Sequence, residues 1–394
     1  MARVLFSDIC WIIRTLKSHG FPAFIAGGAV RDLLMGRAPE DYDIATTAPP
    51  EKIVSIFPRT KPAGKVYGTT LIIVEHRPYQ VTTLQSSGGT YTDLIEEDIQ
   101  RRDFTINAMI WDPIEDHLID TVGGMKDLKN RILKPTTTAE EIFLNDPIRM
   151  LRAIRISHSL QFTLHPSIFP AIRALRKQIK RVSPERIQYE LVKILTLTHV
   201  TKALCPLVKT RLLFEFLPEL ALLSHLKQSP YHDYSALSHT FRTLYFTEKI
   251  INNPSFFNLP TKTSKHILML AALLHDIGKP DAHQVIDGIH HFYGHEKIGA
   301  EKTGEILKRL RFPKRDIQLV KSIVTRHLYP LHLYWLYEKN TLTPRAIERF
   351  RRKTGNFSLP LLVLSTADQL AKHRSGNEEL ITSWRPFCEM LLGS

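Results

Sequence analysis

Asp41 and Asp43 are the residues whose types and spacing point most directly to chemistry. In an extended strand, side chains two positions apart point to the same face, so these two carboxylates would converge. Close carboxylates repel each other unless a cation lies between them, and Mg²⁺ binds carboxylate oxygens together with substrate phosphates. We therefore predict a catalytic Mg²⁺ site at Asp41 and Asp43. A lone Asp-X-Asp is more often a solvated acidic turn, so the prediction depends on the residues around it.

Two glycines lie shortly upstream, where a short apolar strand ends and a helix begins. Gly27 and Gly28 leave room for a phosphate to approach the backbone, and Arg31 lies one turn into the helix. A pair of glycines alone is usually an ordinary tight turn. The aspartate pair that follows on the next strand favours a nucleotide site instead.

A second group of chemically capable residues lies in the C-terminal part. An apolar stretch leads into His275 and Asp276 and is stopped by Gly278-Lys279-Pro280. The other histidines and carboxylates of interest in this region are His239, His295, His327 and Asp368. Neutral imidazoles and carboxylates bind divalent metals. One histidine among the chain's 18 is more often structural, but the doublet at a helix end is specific enough to predict a metal site.

The secondary-structure elements predicted to position these residues change from mixed helix and strand to helix alone along the chain. The first third alternates helix and strand patterns and predicts a mixed α/β head. Its predicted elements are helices at 6–16 and 29–35, and strands at 24–26, 41–45, 69–75, 80–84 and 114–120, with a hairpin turn at 76–78. After Pro135 the strand signals fade, and helices are expected at 139–159, 166–181 and 184–195. The predicted domains are residues 1–135 (head), 136–230 (helical neck and body) and 231–394 (helical tail).

The composition narrows the classes of protein and partner. The 394-residue chain is 43% hydrophobic and carries a net charge of +14, which favours polyanions such as nucleic acid or an acidic membrane surface. The longest apolar run, 267–274, is too short to span a bilayer, and Asp8 and Arg14 interrupt the apolar N-terminus. Three widely spaced cysteines indicate neither a disulfide framework nor a zinc cluster. We expect a soluble, cytoplasmic protein that does not enter membranes; its oligomeric state is not indicated.

Half of the net charge lies between Arg131 and Lys193. This segment has 12 Lys and Arg against five Asp and Glu, a difference of +7. Arg149, Arg152 and Arg155 are three positions apart and share one helical face. Such a face is often only solvated, but three arginines with few acids nearby favour an anion such as a triphosphate or an RNA strand.

The order of these motifs resembles that of bacterial CCA-adding enzymes and poly(A) polymerases. The resembling segments are 27–32 (Gly-Gly-Ala-Val-Arg-Asp), 41–43, 97–98, 101–109, 119–120, 123–124, 127–128 and 146–153. Together they cover roughly residues 20–195, with weaker similarity beyond. The resemblance implies an α+β fold: a polymerase-β-like nucleotidyltransferase head with a mixed sheet, followed by an all-α neck and body. It also implies that the incoming nucleotide is held between head and neck.

The resemblance implies roles for individual residues. Asp146 and Arg149 match the family's base-reading pair. A carboxylate only accepts hydrogen bonds and a guanidinium only donates them, so together they can address the edge of ATP or CTP. Arg152 and Arg155 match positions that support nucleotide and phosphate binding, and Arg102 matches a position that contacts the nucleotide from the head side.

Three positions depart from the family pattern. Gln80 stands where relatives carry a glutamate, Gln85 where they carry an arginine, and Asn145 where a glutamate commonly precedes the base-reading aspartate. A carboxamide offers a metal a neutral oxygen but no charge and no basicity. Gln80 therefore leaves three outcomes open: a slower head, a head for which two aspartates suffice, and an inactive head.

The tail resembles the HD phosphohydrolase superfamily, which forms the tail of some relatives of the head. The matching ligand positions are His239, His275, Asp276 and Asp368. The resemblance implies an all-α HD-type tail with one divalent ion (Mg²⁺, Mn²⁺, Ni²⁺ or Co²⁺) and hydrolysis of 2′,3′-cyclic phosphates or related phosphoesters. The alternative is a structural role, in which the histidines pack the bundle and the tail only grips RNA.

The sequence thus predicts a template-independent enzyme that builds the CCA end of tRNA from CTP and ATP. An A-adding enzyme or poly(A) polymerase carries the same motifs and remains an alternative. A further alternative is an RNA-binding protein with a weak head and a working phosphohydrolase tail.

Overall fold

The computed structural model describes residues 2–62, 68–84, 91–227, 235–253, 264–372 and 378–393. The chain divides into two compact units, Met1–Leu175 and Arg176–Ser394. The predicted boundary between residues 230 and 231 and the departure at Gln85 lie outside the described residues. None of the described helices combines the length and apolarity that crossing a lipid bilayer requires.

A seven-stranded mixed sheet is the centre of the first unit. The helices and strands of this part are α1 (Ala2–Ser18), β1 (Ala23–Ala26), α2 (Gly28–Leu34), β2 (Asp43–Thr46), α3 (Pro50–Ile56), β3 (Thr60–Pro62), β4 (Thr69–Val74), β5 (Arg77–Thr83), α4 (Tyr91–Arg101), β6 (Ile110–Asp112), β7 (His117–Ile119) and α5 (Gly124–Asn130), with a 3₁₀ turn at Thr105–Asn107. The strand order is β3-β4-β5-β2-β1-β6-β7. β2 and β5 run parallel, and the other neighbouring strands described run antiparallel. The predicted mixed-sheet head is confirmed.

Two apolar layers cover the sheet because successive side chains of a strand alternate between its faces. Ile25 of β1 and Ile44 of β2 pack on the face that carries α1. Phe24 and Ala45 pack on the opposite face, with Ile99 of α4. Burying each such isoleucine is worth about 1.5–3 kcal/mol. A one-residue slip of either strand would move its side chains from one apolar layer to the other.

The hairpin of β4 and β5 sets the register at the edge of the candidate site. The chain turns at Glu75 and His76, both with positive φ (46° and 68°), as in a two-residue type I′ turn. The predicted turn at 76–78 is therefore displaced, and Pro78 lies within β5, opposite Ile73. Because β5 pairs with β2 only from Gln80 onward, Pro78 removes no hydrogen bond from that ladder.

Helices and one short strand pair complete the first unit. They are β8 (Ile132–Leu133), α6 (Ala139–Asn145), α7 (Arg149–Leu160), β9 (Thr163–Leu164) and α8 (Ile168–Leu175). The prediction of one helix over 139–159 is wrong, because the chain breaks at Asp146. Pro147 disfavours helical backbone at the preceding residue, and Asp146 is extended, with φ −147° and ψ 98°.

The second unit is helical except for one hairpin among its described residues. Its elements are α9 (Pro184–Leu195), α10 (Val200–Lys209), α11 (Leu213–Phe216), α12 (Ala236–Ile251), α13 (Lys265–Leu274), α14 (Lys279–Ala282), β10 (Gln284–Ile286), β11 (Ile289–His291), α15 (His295–Arg309), α16 (Lys314–Arg326), α17 (Tyr329–Glu338), α18 (Pro344–Thr354), α19 (Ser358–Ala371) and α20 (Glu378–Leu392), with 3₁₀ turns at Arg176–Arg181, Pro218–Leu223 and Gly355–Phe357. The β10–β11 hairpin was not predicted. α13 is apolar all round and buried from Ile267 to Leu274, as expected of a helix at the centre of a bundle.

Candidate nucleotide and metal sites

Asp41 and Asp43 are both exposed, although only Asp43 lies in a strand. β2 begins at Asp43, and Asp41 precedes it, so the predicted strand 41–45 starts too early. The chain nevertheless alternates here, because Tyr42 is buried between the two exposed aspartates. This alternation of exposure is the pattern expected of two carboxylates on one side of the chain.

Gly27 brings the backbone close to Asp43 and Arg102. Gly27 has φ 76° and ψ −140°, a region that side chains other than hydrogen rarely allow. A Cβ at this position would lie 2.9 Å from Arg102 Nη1 and 3.8 Å from Asp43 Oδ2. The absence of a side chain at Gly27 thus leaves space beside an acidic and a basic side chain.

The charge of Asp43 is set by its neighbours. Desolvation by the surrounding protein raises the pKa of Asp43, Arg102 acts against this rise, and the nearby Asp41 raises the pKa further. A like charge that raises a pKa marks two carboxylates within electrostatic reach of each other. A divalent cation would relieve both effects, so the residues present fit a Mg²⁺ ion.

Gln80 lies beside Asp43 in the parallel ladder of β2 and β5. Residues in register on adjacent strands share a face, and both side chains are exposed. The neutral carboxamide therefore occupies the position from which a third acidic group would reach the aspartate pair.

Two arginines at this edge are held by protein groups. Arg102 donates to Asp98 Oδ2 from Nε at 2.8 Å and lies 2.7 Å from it at Nη2. Arg31 donates from Nε to Asp32 Oδ1 at 2.8 Å and from Nη1 to Asn107 Oδ1 at 2.7 Å. These contacts orient both guanidinium groups before any ligand arrives.

Arg152 is engaged by an acid that the sequence analysis did not single out. Its Nε and Nη2 each lie 2.7 Å from Asp103 Oδ2. Asp103 is 6% exposed and also accepts hydrogen bonds from the Phe104 N–H at 2.9 Å and the Asn107 amide at 3.2 Å. Burial acts to raise the pKa of Asp103, but Arg152 and the hydrogen bond from Asn107 hold it below its usual value. The one sequence signal was the position of Asp103 within the Arg101–Met109 motif.

The predicted basic face of α7 is confirmed. Arg149, Arg152 and Arg155 are half-buried along the helix, while its buried side includes Leu151 and Ile154. Asp146 lies just before α7, and the Arg149 N–H donates to the Asp146 carbonyl oxygen at 3.0 Å. The Arg149 guanidinium donates from Nη2 to the Arg101 carbonyl oxygen at 2.6 Å.

The four predicted tail ligands meet in the interior of the second unit. His239 Nε2 lies 2.8 Å from Asp368 Oδ1 and 3.7 Å from Asp276 Oδ2. His275 Nε2 lies 3.2 Å from Asp276 Oδ2 and 3.7 Å from Asp368 Oδ1. Helix α13 delivers His275 and Asp276, while α12 and α19 supply His239 and Asp368.

The chemistry of this donor set fits a divalent ion. His275 Nε2 is buried and has no hydrogen-bond partner among the described residues. Burial acts to raise the pKa of Asp276, but His275 and Lys279 hold it well below its usual range. Burial also lowers the pKa of His239, against the pull of Asp368. Burial acts to lower the pKa of His275, but the carboxylates of Asp276 and Asp368 raise it. The shifts of Asp276 and His239 therefore favour the ionised carboxylate and neutral imidazole that bind metals, whereas that of His275 does not.

Two more buried histidines, His295 and His327, lie beside this set, and the sequence analysis did not assign them as ligands. A Cβ on Gly278 would lie 2.3 Å from the His295 carbonyl oxygen and 2.4 Å from the Gly299 nitrogen. Gly278 therefore allows α15 to approach the end of α13 closely, which brings His295 to the doublet. The glycine after the doublet was visible in the sequence, but its contact was not.

Three sequence families match consecutive parts of the chain. The family described as "Poly A polymerase head domain" matches residues 23–134, "Probable RNA and SrmB- binding site of polymerase A" matches 161–223, and "HD domain" matches 236–372. Among curated proteins, the CCA-adding enzyme of Anoxybacillus flavithermus is 40% identical over 220 residues, covering 53% of this chain and 55% of that protein. A Staphylococcus aureus CCA-adding enzyme is 37% identical over 228 residues, covering 55% and 56%. The chain thus spans about half the length of the curated relatives it matches.

Solved structures of CCA-adding enzymes are similar along nearly the whole chain. The Bacillus stearothermophilus enzyme in complex with CTP aligns with a TM-score of 0.64 at 25% identity, covering 98% of this chain and 82% of that chain. The Thermotoga maritima enzyme complexed with tRNA aligns with a TM-score of 0.68 at 19% identity, covering 98% of this chain and 82% of that chain. At this identity, the match shows similarity of fold alone. In this order, the three matched regions and the solved structure aligned along nearly the whole chain make the protein similar to CCA-adding enzymes and to poly(A) polymerase heads, with a match to an HD domain in the tail.

Proposed function

We propose that this protein adds C and A residues to the 3′ end of tRNA without a template, using CTP, ATP and Mg²⁺. The observation that carries the proposal is the convergence of Gly27, Asp43 and Arg102 at one edge of the sheet. A metal-binding carboxylate, a backbone that a phosphate can approach and a guanidinium group are the components that phosphoryl transfer needs.

In this proposal Asp41 and Asp43 are the catalytic carboxylates that hold Mg²⁺. The ion would polarise the triphosphate and lower the pKa of the attacking 3′ hydroxyl. Gly27 and Gly28 let the triphosphate approach the backbone, because a Cβ at Gly27 would fill the space in front of Asp43. Arg102 and Arg31, already oriented by protein acids and amides, would bind phosphate or ribose oxygens.

Base selection is assigned to Asp146 and Arg149. The break at Pro147 turns Asp146 out of the helix and places it next to the first turn of α7. Arg155 would support the nucleotide from the same helical face. Arg152 belongs to this face as well, but its ion pair with Asp103 supports an additional role in positioning α7 on the head.

The tRNA partner is proposed from the charge of the chain and from its relatives. The net charge of +14 suits a phosphate backbone, and the solved relatives include complexes with CTP and tRNA. We retain three domains, with residues 1–135 for transfer, 136–230 for nucleotide and RNA binding, and 231–394 for the HD-type tail. Cys10, Cys205 and Cys388 are free thiols, which supports a cytoplasmic location.

The decisive experiment uses three tRNA transcripts, ending before the CCA, after one C and after two Cs. Each is incubated with CTP or ATP and Mg²⁺, and the product lengths are read on a sequencing gel. We expect C addition to the first two and A addition to the third. Addition of A alone would favour an A-adding enzyme, and long A tails would favour a poly(A) polymerase.

Variants connect this activity to the site. Asp41→Ala and Asp43→Ala are expected to abolish transfer while the circular dichroism spectrum is retained, because the metal loses a charged ligand. Glu51→Ala removes an exposed acid from α3 and serves as the matched control, with unchanged transfer. Near-normal transfer by either aspartate variant would overturn the metal assignment. A wild-type protein that binds tRNA but extends no transcript would favour the RNA-binding alternative. That alternative stays open because Gln80 stands where relatives carry a glutamate.

The tail is proposed as a second site, which binds a divalent ion through His239, His275, Asp276 and Asp368 and hydrolyses phosphoesters such as 2′,3′-cyclic phosphates. Its support is the convergence of these buried side chains with an unpartnered His275 Nε2. Metal analysis of the purified protein against His275→Ala and Asp276→Ala tests it. A wild-type protein that binds no Mn²⁺, Ni²⁺, Co²⁺ or Mg²⁺ in the tail would leave the structural role.

A further inference from the structure

Helix α18, near the C-terminal end of the chain, concentrates positive charge. Five of its 11 residues are Lys or Arg and one is Glu, a difference of +4. The five are Arg345, Arg349, Arg351, Arg352 and Lys353, and the acid is Glu348. A charged helix face is often only solvated, so the contacts of these side chains decide whether the helix has a further role.

Three of the arginines form one exposed face of the helix. Arg345, Arg349 and Arg352 are spaced i, i+4 and i+7, which places them on the same side of a helix, and all three are exposed. Together with Glu348 they line a surface cavity of about 410 Å³. The fully buried Phe350 anchors the helix to the bundle. We call the three arginines the arginine face of α18.

Within the described part of the chain, no protein group neutralises the arginine face. Neither an ion pair nor a hydrogen bond engages its three side chains there, and Glu348 pairs with none of them. Other cations of the second unit do have acidic partners: Arg309 lies 2.6 Å from Glu219, and Lys321 lies 2.8 Å from Glu301. Three guanidinium groups without a counter-charge repel one another and attract an anion.

The other two cations of α18 contact the protein itself. Arg351 donates from Nε to the Leu391 carbonyl oxygen at 3.0 Å and from Nη2 to the Met390 carbonyl oxygen at 2.7 Å. These carbonyls lie at the C-terminal end of α20, where backbone acceptors lack partners within the helix. Lys353 Nζ lies 5.9 Å from the centre of the Tyr329 ring. The helix thus separates cations that hold the bundle together from cations that face solvent.

The length of the arginine face indicates a polyanion. Arg345 and Arg352 are seven positions apart, which at about 1.5 Å per residue extends the face over about 10 Å. Successive phosphates of a nucleic-acid strand present negative charge along such a length. Each guanidinium group can donate two parallel hydrogen bonds to one phosphate.

The composition of the exposed side favours RNA over a membrane. A helix that lies on a lipid surface exposes large apolar side chains beside its cations. The exposed positions of α18 are all charged except Pro344. The helix lies outside residues 161–223, which match the RNA-binding family, and it carries none of the metal ligands proposed for the tail. It is therefore separate from the sites assigned above.

We propose that the arginine face of α18 is an RNA contact of the tail, which binds the phosphate backbone of tRNA whatever its sequence. This inference rests on the proposed function, because the RNA it binds is the substrate of the head. It adds a surface that affects the affinity for tRNA and leaves the transfer step unchanged.

The test is the salt dependence of tRNA binding by the full-length protein. Arg345→Ala, Arg349→Ala and Arg352→Ala are combined in one variant, and the Kd of a tRNA transcript is measured by fluorescence anisotropy over a range of KCl concentrations. Each lost phosphate contact lowers the slope of log Kd against log salt by about 1, so we expect the slope to fall by about 3. The affinity is expected to fall at least about tenfold at low salt. In steady-state transfer, KM for tRNA is expected to rise while kcat and KM for CTP stay at the wild-type values, which also shows that the variant folds.

Two further variants control for charge. Lys308→Ala, Lys314→Ala and Arg315→Ala together remove the same charge from exposed positions at the end of α15, the start of α16 and next to it, and this variant is expected to keep the wild-type slope. Glu348→Gln removes the acid beside the three arginines and is expected to tighten tRNA binding, because the phosphates then meet no like charge.

The outcomes separate this proposal from the function of the head. An unchanged slope in the α18 variant, or an equal fall in the control variant, would overturn the RNA contact, while C and A addition by the wild type would still support the proposed function. A wild type that extends no transcript but whose slope falls in the α18 variant would overturn the proposed function and support the contact. Unchanged tRNA binding together with lost binding to phosphatidylserine vesicles would assign the face to a membrane and overturn the proposal.

Discussion

Replacing Arg152 with alanine is expected to destabilise the first unit. The substitution removes both donors that lie 2.7 Å from Asp103 Oδ2. The carboxylate would stay buried with the Phe104 N–H and the Asn107 amide as its remaining donors in the described contacts. Removing one partner of a buried ion pair typically costs about 3–5 kcal/mol. Because the Arg152 side chain is itself 38% exposed, solvent screening reduces the expected loss to about 2–3 kcal/mol.

The loss can be measured by peptide-resolved hydrogen exchange, which separates the first unit from the second. Amides in peptides covering residues 103–112 are expected to exchange on the order of 30- to 150-fold faster in Arg152→Ala, the factor that corresponds to this free energy. Arg152→Lys is expected to restore part of the protection, because one ammonium group replaces a two-point contact. Lys126→Ala removes an exposed cation from α5 and is expected to change nothing.

The Arg152–Asp103 ion pair also predicts that the stability of the first unit depends on pH. Folding lowers the pKa of Asp103, so its carboxylate stabilises the folded protein at pH values above its pKa in the unfolded chain, about 3.9. This stabilisation is lost as the pH falls through the pKa of Asp103 in the folded protein. The difference in stability between wild type and Arg152→Ala is therefore expected to narrow below about pH 4. Unchanged exchange in Arg152→Ala, together with a large rise in KM for CTP, would refute this reasoning and assign Arg152 to the nucleotide alone.

Gln80→Glu is expected to tighten Mg²⁺ binding at the head by on the order of tenfold, because it adds a negative charge in register with Asp43; calorimetric titration measures this, and an unchanged affinity would place Gln80 outside the metal site. Exchanging Asp146 and Arg149 for each other is expected to blur the preference for CTP and ATP over GTP and UTP by on the order of tenfold, since each lost hydrogen bond costs about 1–3 kcal/mol; competition between nucleotides measures this, and an intact preference would contradict the assignment. Gly278→Ala is expected to destabilise the second unit by about 1–3 kcal/mol, because the new Cβ would lie 2.3 Å from a backbone oxygen; an unchanged denaturation midpoint would show that the helices separate at no cost.

Residue patterns in the sequence predicted those elements whose ends are set by neighbouring residues in the chain. The helix expected at 184–195 is α9, Pro184–Leu195, because Pro184 starts it and the apolar spacing continues to Leu195. The helix break at Asp146 was equally local, since Pro147 was visible in the sequence. It was missed because the apolar periodicity on both sides suggested one helix.

The sequence by itself determined the chemical groups and their order: an aspartate pair after two glycines, three arginines on one helical face, and a histidine–aspartate doublet at the end of an apolar helix. These features depend on spacing along short stretches of the chain, and helix and strand periods convert spacing into direction. What only the tertiary structure decided is which distant groups meet. Arg152 meets Asp103 across 49 positions, and His295 meets His327 across 32. Such pairings depend on how helices pack and on contacts such as that of Gly278 with α15, and no periodicity within an element specifies them.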